Sequence, residues 1–536
     1  MAILLTKAGR VQLARSFHRD ILNARDYYHF ALGKTTAWDD EENPDTPLTS
    51  EKFIKEFRNN IIFTQAVSSA DICHLVRRIN WTSGTVYDPY DDAYSSDMPA
   101  YSGATSLADA NFYVITDELK VYKCIDNNNN APSTDKPTYT NTDTDVASDG
   151  YVWKFMFQVS SSDETRFLDA EHIPVRKLTG NPQHDVNGEI DDILVPVGGS
   201  GYTSVPTVVI NGDGINASAT AVVEGGIVTD IIVDEPGSGY SFANITFTGG
   251  GGGSGAEATV LLGDADDLPA LQKAVEEGSV PGSVDRIEIL NNGGTNYLSE
   301  DVIVTITGDG TGAVATATVV DGSVSEVTID AKGSGYTNAT VSITDTSGTN
   351  TTAEARIVLS PIDGHGSHPI NELYSTTIGV TVSLSENSNS DLFLDNDFRQ
   401  VGLIKNIKNY AKTESWTNST ATACFIINVP AVDAGKYDAD DLITTNTGGE
   451  FVVVQKNEVE NESTFNIHLH PIIPTIEYSA SLRLNNTTKG LLNLSINSVV
   501  NPEISISTGE VVYIENRPAI SRSIDQVETI KALVNF

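Results

Sequence analysis

The chain has 536 residues, enough for three or four domains. Its 33 Lys+Arg against 72 Asp+Glu leave a formal net charge of −39. That balance argues against nucleic acid and anionic membrane surfaces as partners, because neutralisation of phosphates supplies most of that affinity.

With 39% hydrophobic residues and many Val, Ile, Thr and Tyr, the chain reads as globular. Cys73, Cys124 and Cys424 form neither a CxxC pair nor a disulfide framework, which suits reducing cytoplasm. The opening "MAILLTKAGR" has five consecutive apolar residues, too few for a secretory h-region. No run approaches the roughly 18 apolar residues of a membrane helix. The expectation is cytoplasmic synthesis without export by that route or membrane insertion.

In chain order, Ala8, Val11, Ala14, Phe17 and Ile21 recur at helical spacing, and "EKFIKEFRNNI" places Ile54, Phe57 and Ile61 on one side of a second helix. The period then becomes two. In "GYVWKFMFQV", Tyr151, Trp153, Phe155, Phe157 and Val159 face one way, with Lys154 and Gln158 opposite. Such a row fits the core face of a sheet better than a base-stacking platform, given the acidity. At the C-terminal end Ile530, Ala532, Val534 and Phe536 alternate against Lys531 and Asn535.

Between these flanks lie four related segments, beginning at 189, 227, 284 and 323. Each carries a Gly-x-x-Tyr corner, and the tyrosines are Tyr202, Tyr240, Tyr297 and Tyr336. A β-rich run leads to each corner, an alternating strand such as Thr207–Ile210 follows, and after a second glycine turn a small-residue strand (Ala217, Ala219, Ala221, Val223) closes the unit. A phosphate-binding loop would need a helix after the glycine turn, with its N–H groups facing the anion. Here a strand follows, and none of the four segments contains a Gly-Lys-Ser/Thr. The segments therefore read as β-building blocks in a module of their own over 188–360, inserted into a host domain. "DADDLPALQKAVEEG" reads as a single connecting helix, capped by Asp267, with Pro269 in its first turn, Gly278 at its end, and Leu271, Ala274 and Val275 as one stripe.

Chemistry-bearing patterns are sparse. His365 and His368 in "DGHGSHP", and His468 and His470 in "HLHP", are close pairs without a placed third ligand. "DPYDD" and "DADD" lack EF-hand spacing, which leaves calcium open. No GxSxG, HExxH or Cys/His signature occurs. The expectation is a non-enzymatic protein without catalytic residues, cofactor or bound metal.

Five stretches resemble a known family. They are "VRRINWTSGTVYDPY" (76–90), "VYKCID" (121–126), "SDGYVWKFMFQV" (148–159), "DFRQVGLIKN" (397–406) and "GEVVYIENRPAISRSIDQVETIKALVNF" (509–536). In order and wording they look like the baseplate wedge subunit of T-even-type contractile-tailed bacteriophages. The match covers about 27–178 and 361–536, and its terminal ENRP-to-DQ part is the most specific. The repeats and the first 25 residues have no counterpart in it.

The resemblance implies a mainly β chain: a layered β-sandwich core with a few helices in loops, plus the inserted β-repeat module. The core would comprise 1–187 and 361–536. It further implies a structural virion protein, made in the host cytoplasm and built into the tail baseplate. Its partners would be a second copy of itself, in a homodimer, and other baseplate wedge proteins. Arg77, Arg78 and Trp81 on a strand, with Arg517 and Pro518 in "ENRP", are candidate interface residues, since Arg and Trp dominate interface hot spots. Intramolecular salt bridges and core packing remain the alternative for all five. A different class of protein, a receptor-binding or fibre-like tail protein using the repeats on host surface glycans, is the competing reading.

Overall fold

The structure, a computed structural model, describes residues 6–22, 27–48, 50–178, 190–238, 240, 242–262, 267–298, 302–345, 352–384, 397–459, 463–474, 476–477, 479, 481–520 and 528–536. The expected boundary at 187/188, Asp264–Asp266 of "DADD" and 521–527 of the terminal stretch lie outside the described residues. The fold is mainly β, 48% strand against 12% helix, with many antiparallel sheets, as expected. The chain forms two compact units, one of Met1–Arg15, His74–Thr377 and Phe536, the other of Ser16–Cys73 and Ile378–Asn535. Residues 188–360 thus lie wholly within the first unit.

The repeats explain their own glycine content. Each has a lead, a middle and a closing strand: Ile190–Ser200, Pro206–Gly212 and Ile215–Glu224 in the first repeat, and Ile227–Ser238, Ala243–Gly249 and Ser254–Leu262 in the second. These six make one sheet in the order lead(2), closing(1), middle(1), middle(2), closing(2), lead(1). The two lead strands at its ends also lie against each other, so the sheet curls round a core. The order reads the same when the two repeats are exchanged, which is a pseudo-twofold arrangement.

The third and fourth repeats copy it. Lead, middle and closing strands are Val284–Ile289, Ile303–Gly308 and Thr311–Val320, then Ser323–Ser334, Ala339–Thr344 and Ala355–Leu359. The same three antiparallel pairs recur, lead(3) with closing(4), the two middles, and closing(3) with lead(4). All four corner tyrosines are buried. The glycines three residues before them, Gly199, Gly237, Gly294 and Gly333, have φ between 63° and 68°, a left-handed conformation that glycine adopts without a Cβ clash.

In the first unit's flank, strands Tyr113–Ile115, Lys120–Asp126, Val152–Gln158 and Thr144–Val146 pair in that order. Tyr151, Trp153 and Phe155 pack with Tyr87, Tyr122 and Val275. The opposite face does not meet solvent at Lys154 as the alternation suggested. Lys154 is 4% exposed and Met156 fully buried, because Thr142 and Gly366 lie against the lysine and Met156 joins a core with Val76, Phe112, Ile173 and Leu373. Helix Asp267–Glu277 packs on the Val152–Gln158 strand. Asp267 is its first helical residue, so the capping position falls outside the described residues. Val275 and Leu271 form the apolar contact, but Gln272 and Glu276 are buried as well. Gln272 donates to the Arg176 carbonyl at 2.7 Å, and Lys177 donates to Glu276 at 3.2 Å. The module and its flank therefore share a core.

In the second unit, Thr420–Thr422, Ile61–Ala66, Tyr28–Gly33, Phe398–Lys405 and Glu510–Ile520 form one sheet in that order. A seven-stranded sheet packs round Phe425, Ile443, Phe451, Ile467 and Leu484. Helix Glu51–Asn60 is capped by Ser50, whose hydroxyl accepts from the Phe53 N–H at 3.3 Å, and it buries Phe57. In helix Lys7–Leu22, Val11, Ala14 and Ile21 are buried, and in strand Glu528–Asn535, Ile530 and Ala532 are buried, as their spacing required.

Burial holds His29, His468 and His470 of this unit down to about 4. Folded values below the unfolded one mean stability that is present above about pH 6.5 and lost as pH falls through 4. Removing one such group, as in His29→Leu, should recover up to about 3 kcal/mol of the loss. The check is the denaturant midpoint at pH 7 and pH 4.5. A second expectation concerns the repeats. A Cβ on Gly310 would sit 2.4 Å from the Tyr336 ring, whereas one on Gly435 meets nothing within 4 Å. Gly310→Ala should cost about 1–3 kcal/mol, and Gly435→Ala should be near neutral, both by urea unfolding.

Candidate functional site

The first unit's flank strands bring two lysines face to face. Lys123 and Lys154 are direct partners across the antiparallel pair, and both are buried. Like charges opposite one another normally destabilise a sheet, so each needs its own compensation. Lys123 Nζ lies 2.8 Å from Glu372 Oε2 and 4.2 Å from the centre of the Tyr90 ring. Glu372 also accepts the backbone N–H of Gly366 at 2.9 Å and of His368 at 3.0 Å. Burial pushes its pKa up, but Lys123 and the His368 N–H together hold it below the usual carboxylate range.

Among the described residues, Lys154 has the Thr142 carbonyl as its one hydrogen-bond acceptor. Its pKa is pulled to about 8, first by burial and then by Lys332 and Lys123, against the attraction of Asp143 and Glu372. Next to this pair, His365 Nε2 is 2.6 Å from Asp285 Oδ2, and its ring meets Tyr90 edge-on at 4.9 Å. Burial lowers the His365 pKa. The neutral ring then donates Nε2–H to Asp285, and Nδ1 is left as an acceptor with no partner among the described residues. Lys154 and His365 border a half-open cavity of about 340 Å³, lined also by Asp143, Ser283 and Lys332 among others.

A second cluster lies close by. Asp91 pairs with Arg286 at 3.3 Å and with Arg356, and both arginines also bond Glu288. Arg286 Nη1 donates to the carbonyls of Tyr90 at 2.6 Å and Ile125 at 3.0 Å. The lead strand of the third repeat and the closing strand of the fourth are thereby fastened to the flank. Asp88 of the same "DPYDD" accepts from Ser102 and Asn111 at 2.6–2.9 Å. The oxygens on which calcium was left open at Asp88 and Asp91 are thus engaged within the protein.

The residues singled out from sequence are scattered. Arg77 ends strand Ile72–Arg77, so Arg78 and Trp81 do not share that strand as expected. The chain departs there to bridge Asn80 to Ile115. Arg77 donates to the carbonyls of Asp109 and Ala110, and Arg78 to that of Asp169. Trp81 Nε1 donates to Ser133 at 3.1 Å. Arg517 is held by Glu515 at 2.6 Å and by the Lys531 carbonyl, while its neighbour Pro518 is exposed.

His365 and His368 do not act as a pair. His368 caps the short helix Pro369–Glu372, accepting from the Asn371 N–H through Nδ1. Among the described residues, one group brings three metal-ligand types together, Asp169, Glu171 and His172. Asp169 there already accepts the N–H of Glu171 and His172 at 2.8 and 2.7 Å, as in a turn. Sequence reading missed Lys123, Glu372, Asp285, Asp91, Arg286 and Arg356. The available signal was a charge inside an apolar strand run, as in "VYKCID", "VDRIEIL" and "ARIVL", but its partner lies too far along the chain to be located that way.

Comparison with protein-family models gives no match, and neither does comparison with curated proteins.

Glu372→Ala would leave Lys123 buried and unpaired, at a cost of about 3–5 kcal/mol. The apolar pair Lys123→Met with Glu372→Leu should cost clearly less than the single change, by urea unfolding of the full chain.

Proposed function

We propose that the chain is a structural subunit of the baseplate wedge in a contractile-tailed bacteriophage, acting through protein–protein interfaces and not by turnover. The carrying observation is the placement of the five resembling stretches. "VYKCID" pairs with "SDGYVWKFMFQV" in the first unit, and "DFRQVGLIKN" pairs with "GEVVYIENRP" in the second. Motif residues that make paired, adjacent strands in a sheet of each unit suit a protein whose task is to hold a shape.

Rigidity supports the same reading. Arg77, Arg78 and Arg517 are anchored to backbone carbonyls, which would present Arg77 and Pro518 at fixed positions to a second copy. The repeats expose Ile215, Ile232, Phe242, Ile303 and Val314, apolar side chains suited to a different wedge protein.

Immunogold labelling of purified particles should mark the rigid plate at the tail tip, and label along fibres would favour the receptor-binding alternative. Light scattering at micromolar concentration should give a dimer, expected to bury more than about 1,200 Å². A monomer would remove the self-association from the proposal.

A further inference from the structure

We propose that the cavity bordered by Lys154, Lys332 and His365 binds a sugar-sized hydroxylated anion, one bearing a carboxylate or phosphate together with free hydroxyls. Three observations converge. The flank strand supplies Lys154, a buried ammonium placed opposite a second lysine, with a single carbonyl as its acceptor among the described residues. From the fourth repeat's lead strand comes the exposed Lys332, bonded to the Thr144 hydroxyl at 3.3 Å and near enough to repel Lys154. A strongly acidic chain thus gathers two ammonium groups round one cavity, with Asp143 on the same wall, and a ligand anion would add a second counter-charge beside them.

His365 defines the rest of the ligand. Asp285 fixes its Nε2–H, so Nδ1 is left without a partner among the described residues, and the ring borders the cavity. An unmade buried hydrogen bond is costly, and a ligand hydroxyl would satisfy it. Asp143 can accept a second hydroxyl, and Ser283 also lines the wall. An inorganic anion without O–H groups leaves both acceptors unmet, and inorganic phosphate brings only one or two O–H donors on a single small ion. A neutral sugar leaves the lysines unmet. The volume, about 340 Å³, lies at the lower end of small-ligand pockets, which fits one sugar ring better than an oligomer. The site needs both the flank and the repeats, and it is independent of the wedge reading.

The test is calorimetric titration of the full chain with glucuronate, glucose 6-phosphate, glucose and inorganic phosphate at pH 7. One or both anionic sugars should bind, and glucose and inorganic phosphate at least about tenfold more weakly, the loss expected for one charge-assisted or hydroxyl contact. Which anionic sugar binds tighter separates a carboxylated glycan from a phosphorylated metabolite as the source. Lys332→Met, at an exposed position, should weaken binding about tenfold without changing the melting temperature. Lys154→Met should do the same wherever circular dichroism shows it folded. No binding of either anionic sugar at 10 mM (about the weakest affinity worth titrating), equal binding of glucose, or undiminished binding by Lys332→Met would each overturn the proposal.

Discussion

Each corner tyrosine of the repeats packs against the turn of its partner repeat, and no repeat contains both halves of the contact. Tyr202 of the first lies on Gly253 of the second, Tyr240 returns to Gly214 of the first, and Tyr336 of the fourth lies on Gly310 of the third. Tyr297 of the third accepts from the Ala353 N–H at 2.8 Å and donates to the Ile343 carbonyl at 3.2 Å, both in the fourth. Three strands alone would leave raw edges and a half-covered ring. Two repeats, exchanging tyrosines, close six strands round one core. The glycines follow from the same contact, since a Cβ at Gly214 would stand 2.3 Å from the Tyr240 ring.

Once the repeats are closed in pairs, their outer surfaces become available for attachment. The second pair uses this through charge. Arg286 and Arg356, on adjacent strands, converge on Asp91, and Arg286 reaches two flank carbonyls. Buried ion pairs contribute little net stability against an apolar alternative, yet they fix register and orientation where their geometry is complete. The arrangement here suits a joint that must form in one way only. Helix Asp267–Glu277 adds the apolar part of the joint by placing Val275 among Tyr87, Trp153 and Phe155.

The candidate site is a by-product of that joint. Lys154 belongs to the flank and Lys332 to the repeats, and neither group alone makes a pocket. Their convergence follows from the docking of one β body on another, and the charge imbalance it leaves is local in a chain that is otherwise strongly acidic.

Period and punctuation in the sequence determined the β character, the four tyrosine corners, the capped helix Glu51–Asn60 and the inward residues of the terminal strands, because each of these depends on neighbours within a few residues. The alternating β-branched run after each corner also settled that the corners lead into strands and so are not phosphate loops. What the tertiary structure decided is everything that depends on a partner distant in sequence. The second face of Val152–Gln158 is buried because Gly366 and Thr142 come to lie on it. The repeats divide into two closed bodies because their tyrosines cross over. Lys123 finds Glu372 across 249 positions, and Arg356 finds Asp91 across 265. A charge inside an apolar strand announces that a partner must exist, since isolated burial costs several kcal/mol, and only the fold says which residue it is.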